Sequence, residues 1–145
     1  MEILSKPSVY ALRALLYLVS KEKDKEFVSI RELSEQLDIS FHFLTKILQK
    51  LSENGLIRSS RGATGGVILK QAASSITISK IVMIMEGNDF FDKCILGLPG
   101  CGTKKPCPMH AFWKETKSSI KETFENTTLK ELGRQTKIKG LRLVS

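Results

Sequence analysis

Between residues 9 and 19 the apolar side chains Val9, Leu12, Leu15, Leu16 and Val19 recur at three- and four-residue intervals, and the polar run KEKDKE follows. That spacing predicts an amphipathic first helix ending in a loop. In SIRELSEQLD, Ser29 and Glu32 stand three residues apart, as in a capping box, ahead of Ile30, Leu33 and Leu37 on one face. A short second helix is expected. The tripeptide DIS makes a tight turn, and its Ser40 is placed to cap FHFLTKILQKLSENG. There Phe43 or Leu44, Ile47, Leu48 and Leu51 form the buried stripe, and Asn54-Gly55 stops the helix.

A helix pair joined by so short a turn is a helix-turn-helix when the second helix presents polar side chains outward. The outer face here carries His42, Thr45, Lys46 and Gln49. The β-favouring runs LIRSS and GVILK flank RGATGG, which predicts a hairpin with a glycine-rich loop carrying Arg61. A hairpin directly after such a helix reads as the wing of a winged helix. Glycines would let its tip approach a phosphate backbone, and the arginine supplies the charge that a narrow groove attracts. TISKIVMIMEG predicts a further short helix closed by Gly87. A long helix follows from Pro108 to Glu125, then a shorter one opened by Thr128 and Glu131.

The expected fold is thus mainly α with a small β-hairpin: a winged helix-turn-helix over residues 1–87, a cysteine-rich loop at 88–107, a dimerisation helix and short following helix at 108–135, and a basic tail at 136–145. Ala111, Phe112, Ile120 and Phe124 mark an apolar face on the long helix that a second copy would bury, and a homodimer offers two reading heads to a palindromic site.

Charge sharpens the picture. The net charge is +8, and residues 40–70 hold Lys46, Lys50, Arg58, Arg61 and Lys70 against Glu53 alone, whereas residues 1–39 are close to balanced. A basic block centred on the predicted reading helix and wing points to a polyanion partner, double-stranded DNA. No apolar run reaches the roughly 18 residues of a membrane span, so no membrane role and a cytoplasmic location are expected. No nucleophile–base pair, phosphate loop or carboxylate pair stands at motif spacing, which argues against an enzyme.

The stretch CILGLPGCGTKKPCPMH holds every cysteine of the chain: Cys94, Cys101 and Cys107, spaced C-x6-C-x5-C, with His110 three positions on. Glycines and prolines between them let the backbone turn so that three sulfurs converge. A helix opening at Pro108 would point Cys107 and His110 at one site. Three thiolates and an imidazole fit a 2Fe–2S cluster. The same donors suit Zn, though the spacing is looser than the close C-x2-C pairs usual for it, and unliganded redox thiols are a third use.

The order of elements, the RGATGG wing, the ITISKIVMIMEG helix, the cysteine loop ending in CPMHAFW and the NTTLKEL segment together resemble the IscR/NsrR family of bacterial transcription regulators, from about Ile3 to Leu132. The resemblance implies a homodimeric winged-helix repressor whose DNA affinity is set by an iron–sulfur cluster. It also implies that His42, Thr45 and Lys46 read base edges while Lys50, Arg58 and Arg61 meet phosphate or minor groove. Two departures stand out. The first cysteine gap, ILGLPG, is one residue longer than in IscR-like members, and KPSVYA lacks the aspartate that some NsrR-like members use as fourth ligand, which favours His110. Rival readings are a regulator using zinc or free thiols, and a small iron–sulfur carrier, for which the basic block would have no use.

Overall fold

A computed structural model describes residues 2–22, 26–140 and 142–144. The described residues form six α-helices and one two-stranded sheet, in the order α1 (Lys6–Ser20), α2 (Ile30–Leu37), α3 (Phe41–Glu53), β1 (Ile57–Ser60), β2 (Gly66–Leu69), α4 (Ile78–Glu86), α5 (His110–Asn126) and α6 (Leu129–Lys139). Single 3₁₀ turns lie at Ala73–Ser75 and Phe90–Asp92. No described helix is long and apolar enough to cross a membrane.

Helix starts follow from side-chain caps. The hydroxyls of Ser29, Ser40, Thr77 and Thr128 accept the backbone N–H groups of Glu32, Phe43, Lys80 and Glu131. Each satisfies a donor that the first helical turn leaves without an intrahelical partner. The box at α2 is half-formed, because the Glu32 carboxylate accepts from the Tyr17 hydroxyl at 2.9 Å and ties α2 to α1. Asp38 ends α2 in the left-handed region with φ 54°, and this reverses the chain into α3 within the predicted DIS turn. Ser40→Ala is expected to cost about 1 kcal/mol in urea unfolding, with the slope unchanged, since only a cap is lost.

The core is continuous from α1 to α6 and includes Leu15, Leu33, Leu44, Leu51, Ile81 and Leu129, all essentially inaccessible to solvent. On α1 the deepest residues are Ser8, Ala11, Ala14, Leu15 and Leu18 rather than the whole predicted stripe; Val9, Leu12, Leu16 and Val19 are half-buried. The reason is position: α1 packs against α2, α3, α4, α6 and β2, so its buried surface is not confined to one stripe.

The hairpin register pairs Ile57 with Leu69 and Ser60 with Gly66, and Val28 bridges the far edge of β2 through two backbone bonds to Val67 of 2.8 and 2.9 Å. Close backbone contacts explain two of the glycines. A Cβ on Gly66 would stand 2.1 Å from the Val28 carbonyl oxygen, and one on Gly65 would stand 2.4 Å from that of Ser60. Gly62, with φ +102°, has open space around it. Close internal packing therefore demands Gly65 and Gly66, while only the tip glycine faces outward.

Three expectations shift towards the C-terminus. The long helix opens at His110, not Pro108: Pro108 and Met109 lie in a turn in which His110 N–H bonds the Cys107 carbonyl at 3.0 Å, and Met109 is the cap. Its apolar face divides, with Ile120 and Phe124 half-buried against the chain's own core while Ala111 is exposed and Phe112 is 71% exposed. Finally, α6 runs to Lys139, into the stretch read as a basic tail, because Gly140 at φ 61° closes it with a bond to the Thr136 carbonyl. Leu143 and Val144 pack half-buried beyond it, whereas Leu141 and Ser145 of that stretch lie outside the described residues, as do residues 23–25 of the first loop.

Candidate metal centre and nucleic-acid face

The cysteine loop is held at both ends. Gly87, at φ +106°, turns the chain out of α4, and Phe91 is buried with its ring 6.0 Å from that of Phe124 on α5. The Lys93 carbonyl then accepts from Trp113 Nε1 at 3.1 Å and from Lys117 Nζ at 3.2 Å. Cys94 thus leaves a fixed point, and Gly97 N–H turns back onto its carbonyl at 3.0 Å.

The loop brings Cys94, Cys101 and Cys107 together with all three sulfurs within 4.8 Å of one another. Cys94 Sγ lies 3.6 Å from Cys107 Sγ, and Cys101 Sγ lies 3.6 Å from His110 Nδ1. All three thiols are free and half-buried. They border a cleft of about 360 Å³ whose other wall is α5, with Lys114, Lys117 and Lys121.

Electrostatics differ from thiol to thiol. Backbone N–H groups of Leu98 and Leu96 and the neighbouring sulfurs favour the Cys94 thiolate over the burial that opposes it, and its pKa falls from 9.0 to about 7. For Cys101 the backbone of Cys107 pulls the pKa down, but burial and the sulfurs of Cys94 and Cys107 outweigh it and the pKa rises. The arrangement makes Cys94 a ready donor and Cys101 a reluctant one, as expected of crowded like groups.

These donors fit a metal or iron–sulfur group. With metal–sulfur bonds near 2.3 Å a tetrahedral site has sulfurs roughly 3.8 Å apart, close to the 3.6 Å between Cys94 and Cys107. His110 stands at the edge of this group, with its Nδ1 facing Cys101 and its Nε2 buried with no hydrogen-bond partner among the described residues. A buried polar nitrogen without a partner is costly, and binding chemistry is one way to satisfy it.

On α3 the buried side is Leu44, Ile47, Leu48 and Leu51, and His42, Lys46, Gln49 and Lys50 are exposed. Thr45 is half-buried and its hydroxyl donates to the Phe41 carbonyl at 2.8 Å, so its methyl and lone pairs are what it has to offer. Arg61 is exposed in the wing turn, and Arg58 on β1 lies over the Phe27 ring at 5.7 Å from its centroid. Among the described residues neither His42, Lys46, Lys50 nor Arg61 makes an ion pair. The face is basic and uncompensated.

Sequence reasoning missed the Lys93 anchor and the lysine wall. His110, Lys114, Lys117 and Lys121 fall at helical spacing, so the wall was readable once α5 was phased from His110. Phe27 beneath Arg58 had no local signal.

Residues 4–135 match the model of the Rrf2 family, described as an iron-dependent transcriptional regulator. The chain belongs to the Rrf2 family. An HTH-type transcriptional regulator of Aquifex aeolicus is 34% identical over 125 residues, 85% of each chain, and the regulator IscR of Erwinia tasmaniensis is 31% identical over 123 residues, 85% of this chain and 73% of its own. Among solved structures, CymR (YrzC), the global cysteine regulator of B. subtilis, superposes with a TM-score of 0.78 at 25% identity, covering 94% of this chain and 99% of CymR. T. potens IscR shares the fold, with a TM-score of 0.76 at 23% identity over 96% of this chain and 91% of its own. These Rrf2 relatives are transcriptional regulators, not enzymes, and the winged-helix architecture expected from the sequence is theirs. As an Rrf2 protein of IscR type, this chain is a transcriptional regulator whose three close cysteines can bind a metal or cluster.

Proposed function

We propose that this chain is a cytoplasmic, homodimeric repressor whose affinity for a palindromic operator is set by a 2Fe–2S cluster held by Cys94, Cys101, Cys107 and His110. The observation that carries the reading is the convergence of three sulfurs in a cleft of an Rrf2 chain, with the His110 imidazole beside one of them, Cys101. When bound, the cluster supplies a centre that responds to iron, sulfide, oxidation or nitric oxide. The chain's residues would hold it: the three cysteines would ligate as thiolates, and His110 would complete the set through a ring nitrogen.

In this reading residues 1–87 form the reading head, 88–107 the cluster loop and 108–135 the dimerisation segment. A second copy at α5 would bury Phe112, which is 71% exposed. His42, Thr45 and Lys46 read bases, and Lys50, Arg58 and Arg61 meet phosphate or minor groove.

Operator titration tests the reading. Protein reconstituted anaerobically with ferrous iron and sulfide, and the same protein stripped by a chelator, are titrated against a selected operator across a salt series. Affinity is expected to fall with salt with a log–log slope near 0.9 per neutralised phosphate, and the two forms to differ by about 1–3 kcal/mol. Arg61→Ala is expected to cost about 1–3 kcal/mol, while Lys50→Ala weakens all sequences nearly alike. Equal affinity of loaded and stripped protein would remove the sensor role, and a colourless protein holding zinc would replace the cluster.

A further inference from the structure

The large apolar side chains that the described fold leaves exposed fall in two groups. Ile95, Leu96, Leu98, Met109 and Phe112 belong to the cysteine loop and the start of α5, and Ile3 lines a cleft together with Ile95. The other group is Phe41 and Phe43 on the first turn of α3, and these two differ in kind. Phe43 is engaged: its ring meets that of Tyr10 on α1 edge to face, 5.6 Å between centroids, and the Arg13 guanidinium lies over Tyr10 at 5.9 Å. Phe41 is 53% exposed and has no ring partner among the described residues.

A lone exposed ring is ordinary on a protein surface. Its neighbours give this one a meaning. Phe41 and Thr45 stand one turn apart on the same flank of α3, next to His42 and Lys46. The Thr45 hydroxyl donates to the Phe41 carbonyl at 2.8 Å, so its hydrogen is used within the helix and its methyl and lone pairs are left for an outside contact. The first turn of α3 carries no acidic side chain, and neither His42, Lys46 nor Lys50 makes an ion pair among the described residues. A ring and a methyl therefore lie at the leading end of a helix whose outer face is basic and uncompensated. Such charge suits a polyanion, and the leading end of a reading helix is the part that reaches base edges. The apolar group that DNA presents in its major groove is the C5-methyl of thymine.

We infer that Phe41 is a specificity-determining residue that reads thymine, its ring packing on the C5-methyl of one base in each operator half-site with the Thr45 methyl beside it. The inference rests on the regulator reading above and adds a base preference to it. Hydrogen-bonding groups on His42 and Lys46 do not sense a methyl, whereas a ring does. Cytosine carries only hydrogen at that carbon, and uracil differs from thymine by the methyl alone. Removing one methyl from water is comparable to burying one CH2 group, a factor of roughly three to five in affinity.

Uracil scanning of the operator tests this. An operator is selected from random duplexes with the wild-type chain, both reconstituted anaerobically with ferrous iron and sulfide and stripped by a chelator, and the tighter-binding form is used throughout. Each thymine is then replaced by uracil in both half-sites together. Wild type is expected to show a symmetric position at which the replacement lowers affinity by about tenfold or more, for two methyls. Phe41→Ala should bind the thymine and uracil operators within about twofold of each other, which closes a cycle between one side chain and one methyl. Phe41→Leu keeps an apolar contact and should retain part of the preference; it also serves if Phe41→Ala does not fold, although urea unfolding of an exposed-site variant should stay close to wild type. An operator in which no thymine methyl matters to wild type overturns the inference. So does a Phe41→Ala protein that binds both operators more weakly with the ratio intact, as a backbone contact would give, or one whose mass in solution changes with the ratio intact, which would mark the ring as a protein contact. A wild type that enriches no sequence in either form overturns the regulator reading itself, and this inference with it.

Discussion

Serine in place of Cys94, Cys101 or Cys107 is expected to abolish the visible sulfur-to-iron absorbance and the bound iron of anaerobically reconstituted protein, while circular dichroism and unfolding stay close to wild type. The contrast follows from where these residues lie. All three thiols are half-buried in a loop outside the main core, and each supplies one donor of a set whose sulfurs lie within 4.8 Å of one another. Removing one thiolate leaves two, and no other cysteine exists in the chain to replace it. His110→Ala should weaken retention rather than abolish it, because water or another side chain can take one position. Iron and sulfide assays beside the spectrum decide the matter, and full colour in all three serine variants would refute the ligand assignment.

The second large effect is on stability and concerns the wing. Gly66→Ala is expected to destabilise the protein by about 3–5 kcal/mol, in the range reserved for strain and overpacking together. A methyl there meets the Val28 carbonyl oxygen at 2.1 Å and its carbon at 2.4 Å, at a φ of +145° that side chains avoid. Backbone cannot retreat as a flexible side chain can, so the Val28–Val67 bridge must open. The melting temperature should fall by about 10 °C or more for a chain of this size. Gly62→Ala, with φ +102° and open space, should cost only about 1–2 kcal/mol of backbone strain. Thermal and urea unfolding of the two variants side by side makes the comparison, and similar losses in both would mean that the bridge does not constrain the wing.

What was legible in the sequence was local. Ser29, Ser40 and Thr128 announced helix starts because a hydroxyl reaches an amide two or three residues on, whatever the rest of the chain does. The stripe on α3 was legible for a similar reason, as this helix has one buried side and one exposed side. The full packing of α1 was not, since a helix surrounded by neighbours has no single apolar face to read. The glycines of RGATGG were visible, but their cause was not: two of them answer to carbonyl groups, one at Val28, more than thirty residues upstream. At the candidate centre, cysteine spacing pointed to convergence, whereas the anchor at Lys93 joins distant segments and leaves no periodic trace.

One backbone feature bears on how this architecture tolerates change. Thr77 and Thr128 form an isolated bridge, flanked by Ile78 N–H to the Thr127 carbonyl and Leu129 N–H to the Ile76 carbonyl, both at 2.9 Å. The starts of α4 and α6 are thereby sewn together, and everything between them, cysteine loop included, leaves and returns through one doorway. Loop-closure cost grows only with the logarithm of length, so an extra residue between Cys94 and Cys101 costs roughly 0.1 kcal/mol. A chain closed in this way can vary the length of its cysteine loop by single insertions while the ground on either side stays put, which makes the interval between ligands free material for evolution.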